Sequence, residues 1–143
     1  AAVANNDWAV GQLVDRVTHS KYWPNTAIFI IEDDAQNGPD HVDSRRTTAL
    51  AISPYTKRNA VDSTLYTTSS MVRTMELLLG LPPMNQVVAA SPTMEDCFAT
   101  QADLEPYTCL TDAANLEHRG VPSGWMELSP GASWTSIMEW TIG

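Results

Sequence analysis

Basic side chains are scarce in this sequence: Lys and Arg number 8 against 17 Asp and Glu, a formal charge of −9. A surface this acidic lacks the basic face that displaces counterions from nucleic acid or sits on anionic lipid, so no nucleic-acid partner is expected. Long apolar runs are absent too. None approaches the roughly 18 residues of a membrane span, so no span is expected, and the run of most interest, residues 27–31, is strand-sized. Cysteine is almost missing. Cys97 and Cys109 stand 12 positions apart (109 − 97) with no CxxC or Cys/His cluster beside them, which excludes a zinc knuckle. Two readings stay open for them: buried thiols, or one disulfide stapling a loop-rich tail in an oxidising compartment. Repeats and low-complexity stretches are also absent. The start, Ala1 to Asp7, has neither the basic and apolar regions of a signal peptide nor an initiator methionine, and it reads as processed or truncated.

What is present fits one modest globular domain or a piece of a larger one. The chain has 143 residues, 43% of them hydrophobic and 17% charged. Folding at that length buries roughly 68–70% of the unfolded surface. Asn5 and Asn6 are good helix caps, Asp7 suits a helix N-terminus, and Val10, Leu13, Val14 and Val17 recur at helical spacing, predicting a helix over about 6–19. Trp23-Pro24-Asn25 breaks it. Two β-branched, apolar stretches, about 27–32 and 48–53, lack polar alternation and read as strands buried on both faces, hence parallel neighbours or near-neighbours. Thr67 to Ser70 offer caps for a helix over about 69–79, with Met71, Met75, Leu78 and Leu79 as its stripe and Gly80 and Pro82-Pro83 as its stop. A short helix is expected from Ser91-Pro92 and a last one from Ser133 to Trp140. Helix, strand, loop, strand, helix is the rhythm of an α/β protein.

The stretch with most chemical content runs from Ile28 to His41. A hydrophobic strand delivers Glu32, Asp33 and Asp34 at its carboxyl end, where α/β sheets collect functional groups. Adjacent carboxylates repel unless a cation or proton lies between them, and His41 follows within reach, so this is a candidate metal site. The alternative is a solvated acidic loop that ends a strand. An EF-hand aligned on Gly38 fails, because Ala35 and Ser44 fall at ligand positions. A phosphorylation receiver fails as well: the second strand ends in Ile52-Ser53-Pro54, and no Lys follows Lys57. GxSxG, HExxH, Walker and dinucleotide motifs do not occur.

These residues carry a family resemblance. Asn6 to Val14, then Asn25 to Asp34, resemble the C-terminal half of the alkaline phosphatase superfamily. Asp40-His41, Ala49 to Pro54, Val61-Asp62 and Met71 to Pro83 continue in the same order. Glu32 to His41 and Met94 to Phe98 are closer to its bacterial phosphoesterase branch, which includes phospholipase C-like and acid phosphatase-like enzymes. The resemblance spans about residues 3–110, is specific over 25–83 and is weak after 110. It implies residues 1–110 as the C-terminal part of a three-layer α/β/α phosphoesterase domain, with 111–143 an irregular tail packed on it, and a secreted or periplasmic location.

By the same resemblance, Asp33 matches the metal-binding Asp at the strand end. Asp34 takes the place where many relatives have His, and His41 matches the later His that ligates the other metal of two-metal members. A carboxylate in place of an imidazole makes the site harder, shifting the expected ion from zinc towards calcium, magnesium or manganese. The superfamily's nucleophilic Ser or Thr comes from a segment before this helix, so the chain is expected to be a C-terminal fragment lacking its nucleophile, with no catalytic residue of its own. The parent would be a metal-dependent phosphoric ester hydrolase acting on a phosphoester substrate, with a non-catalytic acidic ion-binding or interaction domain as the alternative. A fragment would also expose an apolar sheet edge and self-associate through it.

Other residues read as structural. Thr47, Thr48 and Ser53 fall at strand positions. His19 suits a helix C-terminus, and His118 lies in the tail. Arg45 and Arg46 follow the site and offer either phosphate binding or surface ion pairs. Asp40 reads as a loop residue, Asp7 as a helix-end one. Trp125, Trp134 and Trp140 read as anchors for the tail.

Overall fold

The computed structural model describes residues 2–33, 47–110 and 139–142. Six regular elements lie in them: α1 (Ala2–Thr18), β1 (Ile28–Ile31), β2 (Thr47–Ile52), α2 (Thr68–Leu78), α3 (Gln86–Ala90) and β3 (Glu139–Ile142). The chain divides into two compact units, one of Ala1–Thr26 with Asp103–Ser136, the other of Ala27–Ala102 with Ile137–Gly143. The class is mixed helix and sheet.

In the first unit, α1 starts earlier than Asn5 and Asn6 suggest, so these residues and Asp7 lie inside the helix. Ala2, Val3 and Ala4 explain this, since alanine is the strongest helix former and lets the helix run upstream. The buried line of α1 is Trp8, Gly11, Val14 and Thr18. Leu13, expected in the stripe, is 54% exposed. An extended segment, 103–110, is tied to that line by backbone hydrogen bonds to side chains. The Thr18 hydroxyl donates to the Tyr107 carbonyl at 3.0 Å and accepts from its N–H at 3.1 Å. Asp15 Oδ2 accepts the Cys109 N–H at 2.7 Å. Trp23, in a 3-10 turn opened by its neighbour Pro24, packs edge-on against the Tyr107 ring at 6.1 Å.

The second unit holds a three-stranded sheet in the order β1-β2-β3, antiparallel throughout. This corrects the parallel arrangement expected for β1 and β2. A parallel pair needs a crossover, usually a helix, and the fifteen-residue connection (47 − 31 − 1) is rich in Asp, Asn, Gly and Pro, poor material for one. The pair is in register Ile28↔Ile52, Phe29↔Ala51, Ile30↔Leu50 and Ile31↔Ala49. Large Phe29 and Ile31 therefore stand opposite small Ala51 and Ala49. That face packs on Tyr66, Met71, Met94 and Cys97, with Met75 and Phe98 alongside. All four residues of β1 are only half-buried, against the expectation of burial on both faces. Among the described residues β1 is paired on one side only.

Helix α2 forms where expected, but it buries Ser70, Met71, Thr74 and Glu76, and Leu78 and Leu79, expected in its apolar stripe, are exposed. Thr67 caps it, its side chain accepting from the Ser70 N–H while the Ser70 hydroxyl accepts from the Thr67 N–H, a reciprocal box that satisfies two orphan donors. Gly80 ends it at φ 68°, a left-handed conformation that costs glycine nothing. The short helix expected from Ser91 lies earlier, at Gln86–Ala90, capped by the Asn85 side chain on the Val88 N–H. Pro92 is the reason: it holds Ser91 extended at ψ 140°. Glu139 and Trp140, assigned to a last helix, are in β3, paired with Leu50 and Ala49. Residues 133–138 and the tail tryptophans Trp125 and Trp134 lie outside the described residues.

Candidate metal centre

The sheet ladder continues one residue beyond β1, where the Glu32 N–H donates to the Thr48 carbonyl at 3.1 Å. The Glu32 side chain is held as well, its Oε2 accepting the Thr47 hydroxyl at 2.7 Å across the sheet end. Two contacts on one residue place the chain direction at the point where the acidic run begins. Asp33 follows at once, exposed. Its carboxylate makes no hydrogen bond or ion pair with the described residues. Asp34 and His41, the other expected ligands, lie outside the described residues, as do Asp40, Arg45 and Arg46.

A hard cation takes oxygen donors and tolerates several geometries, especially calcium. Among the described residues no group of three His, Cys, Asp or Glu side chains is close enough to hold an ion. What the described residues place is therefore one donor, Asp33, with Glu32 tied back to Thr47 beside it.

The hydroxyls of Thr47 and Ser53 are engaged. Ser53 is buried, its Oγ accepting the Tyr55 N–H at 3.1 Å and lying 3.2 Å from Thr56 Oγ1. Thr47 serves Glu32. His19 is an exposed helix-end residue whose Nδ1 lies 2.9 Å from the Asp15 carbonyl and 3.1 Å from Asp15 Oδ1, a local contact at one helical turn.

A second carboxylate in the same unit behaves differently. Asp62 accepts the Thr64 N–H at 2.9 Å, the Thr64 hydroxyl at 2.6 Å and the Tyr66 hydroxyl at 2.8 Å. The Thr64 hydroxyl above all, then its N–H and Tyr66, hold the Asp62 carboxyl below the usual carboxylate range. Tyr66 is buried at 3% exposure, and burial, with the bond to Asp62, pushes its phenol up. Burial and the nearby Asp62 charge push the Cys97 thiol up to about 11. The Cys97 and Cys109 side chains are each buried, as free thiols. Sequence reading gave Asp62 no structural role, although Asp62-x-Thr64 is the spacing of an Asx turn. A carboxylate so fully satisfied serves the fold.

No protein-family model matches the chain, and no curated protein matches it significantly.

Proposed function

We propose that this chain contributes to a metal-dependent phosphoric ester hydrolase of the alkaline phosphatase superfamily, in its bacterial phosphoesterase branch. The observation that carries the reading is Asp33: an exposed carboxylate that takes no hydrogen bond from the described residues, set just beyond a β-strand whose end is pinned by the contacts of Glu32 with Thr47 and Thr48. In this reading Asp33, Asp34 and His41 are ligands to calcium, magnesium or manganese. When bound, such an ion neutralises charge developing on the phosphoryl oxygens. Glu32 stays on Thr47 and sets the position of Asp33. The hydroxyl nucleophile belongs to residues other than these 143, since the resemblance gives it no counterpart here and Ser53 and Thr47 are committed to structure. The three-layer sheet, the secreted or periplasmic setting and the phosphoester substrate belong to the same proposal.

The test is a calorimetric titration of the 143-residue chain with calcium, manganese and zinc, run beside a chromogenic phosphoester assay. Three ligands split between two positions fall short of the six to eight oxygens calcium takes. The chain alone is expected to bind weakly and to turn nothing over. Joined to a segment bearing a Ser or Thr beside further acidic ligands, it is expected to bind tightly and hydrolyse the ester. Tight binding and turnover by the chain alone, both lost in Asp33→Asn, would contradict the fragment reading. An extended protein that binds metal without turnover would favour a non-catalytic ion-binding domain.

A further inference from the structure

Charge disappears from this acidic chain over one long stretch. Between Glu76 and Glu95 there is no ionisable side chain, although the whole chain carries −9. Within that stretch Leu77, Leu78, Leu79, Leu81, Met84 and Val87 are 50–71% exposed. Single exposed apolar residues are ordinary on a protein surface, but so many in one short segment mark an interaction site.

The segment is also held rigidly by its own backbone. At the end of α2 the Leu81 N–H donates to the Glu76 carbonyl at 2.8 Å and the Gly80 N–H to the Leu77 carbonyl at 3.1 Å, the paired bonds that close a helix through a left-handed glycine. The Glu76 side chain, buried at 6% exposure, then reaches forward to accept the Met84 N–H at 2.9 Å. Its other oxygen meets Arg73 at 3.4 Å. Asn85 starts α3. The apolar side chains are therefore displayed on a turn already ordered before any partner arrives, which lowers the entropy lost on docking.

We propose that this segment is a self-association surface, occupied by the same segment of a second copy of the chain. Two copies at −9 repel wherever their charged surfaces approach. The face centred on residues 77–87 is where they can meet without desolvating an ion from this stretch. Fully covered, six side chains at these exposures would bury on the order of 600 Å² per copy, so a two-fold pair would reach at most roughly 1,200 Å², the lower end for specific interfaces. This places self-association on the α2–α3 turn and not on the sheet edge expected from sequence. It does not depend on the hydrolase reading, and its test uses no metal and no substrate.

Sedimentation velocity of the 143-residue chain from about 1 to about 500 μM, the range in which a weak interface populates, reads the proposal directly. A dimer fraction that grows with concentration is expected. It should grow further from about 50 to about 500 mM NaCl, because salt screens the like charges and leaves apolar contact intact. Leu79→Lys with Met84→Lys should weaken the dimer at least tenfold, even though it lowers the net charge. Val61→Lys with Leu65→Lys, at residues 94% and 66% exposed, makes the same change of charge and should leave the dimer at least as strong. A chain that stays monomeric at the highest concentration and salt overturns the proposal. So does a dimer that survives Leu79→Lys/Met84→Lys, which would lie elsewhere, as at the β1 edge. Pelleting of a monomeric chain with phosphatidylcholine vesicles would overturn it too, by assigning the segment to lipid.

Discussion

Asp33 lies two residues after β1 and Asp62 ten residues after β2 in the same unit, and their surroundings are opposite. Asp62 accepts three hydrogen bonds from Thr64 and Tyr66, and its negative charge is already compensated by dipoles. Asp33 stands exposed after β1 with none from the described residues, while its neighbour Glu32 is the one fastened to the sheet. A carboxylate whose lone pairs are filled by the protein has little left to give a cation. The contrast separates a carboxylate that builds the fold from the one to which the proposed function assigns a metal.

The sharpest way to break this comparison is to neutralise each acid in turn. In an active protein containing this chain, Asp33→Asn is expected to lower turnover on the order of 100-fold or more, since a ligated cation supplies several kcal/mol of transition-state stabilisation. Asp62→Asn should leave turnover per folded molecule nearly unchanged and lower the urea midpoint. Equal losses of turnover would erase the distinction.

Acid and alkali sharpen it further. The Asp62 carboxyl lies below its usual range when folded, so its contribution to stability is present at neutral pH and disappears as the pH falls through its folded value. Urea midpoints from neutrality to roughly pH 3 should therefore fall less steeply in Asp62→Asn than in the parent. Cys97 acts at the other end. Its thiol rises from 9.0 to about 11 on folding, so the folded chain holds a proton that the unfolded chain loses in that interval. Stability is whole below the lower value and declines as the pH climbs to the upper one. Cys97→Ala should flatten that alkaline decline, whatever its effect on stability at neutrality. Removing the Tyr66 hydroxyl with Tyr66→Phe should cost about 1 kcal/mol, one hydrogen bond's worth, in a urea titration at neutral pH. The smallest effect is expected from Thr47→Val, which frees Glu32 at an exposed site and should change stability by about 0.5 kcal/mol or less.

Much of the local structure was legible from residue types. Thr67, Ser70 and Gly80 announced both ends of α2, because caps and left-handed glycines act over a few residues. The strands at 28–31 and 47–52 were legible from their β-branched content. The partner of each strand was not. An unbroken apolar run signals burial without saying whether the neighbour runs parallel or antiparallel, and the Asp/Asn/Gly/Pro connection outweighed the run. Leu13 was misplaced for a related reason: helical spacing admits several faces, and Trp8, Gly11 and Val14 define the one that is buried. Pro92 was read as a helix start, but its effect on the residue before it made it a stop.

By itself the sequence determined the acidity of the chain, the strand-end position of Glu32 and Asp33, and the charge-free stretch after Glu76, because composition and order along the chain need no fold to be read. Only the tertiary structure decided that β1 and β2 pair antiparallel and that Cys97 and Cys109 are each buried. It alone put Asp62 into a closed set of hydrogen bonds and left Leu79 and Met84 facing outward. Each of these depends on which groups meet across long separations in sequence or at the ends of a turn, and the free energies of such meetings come from burial and hydrogen-bond geometry, which exist only once the chain is folded.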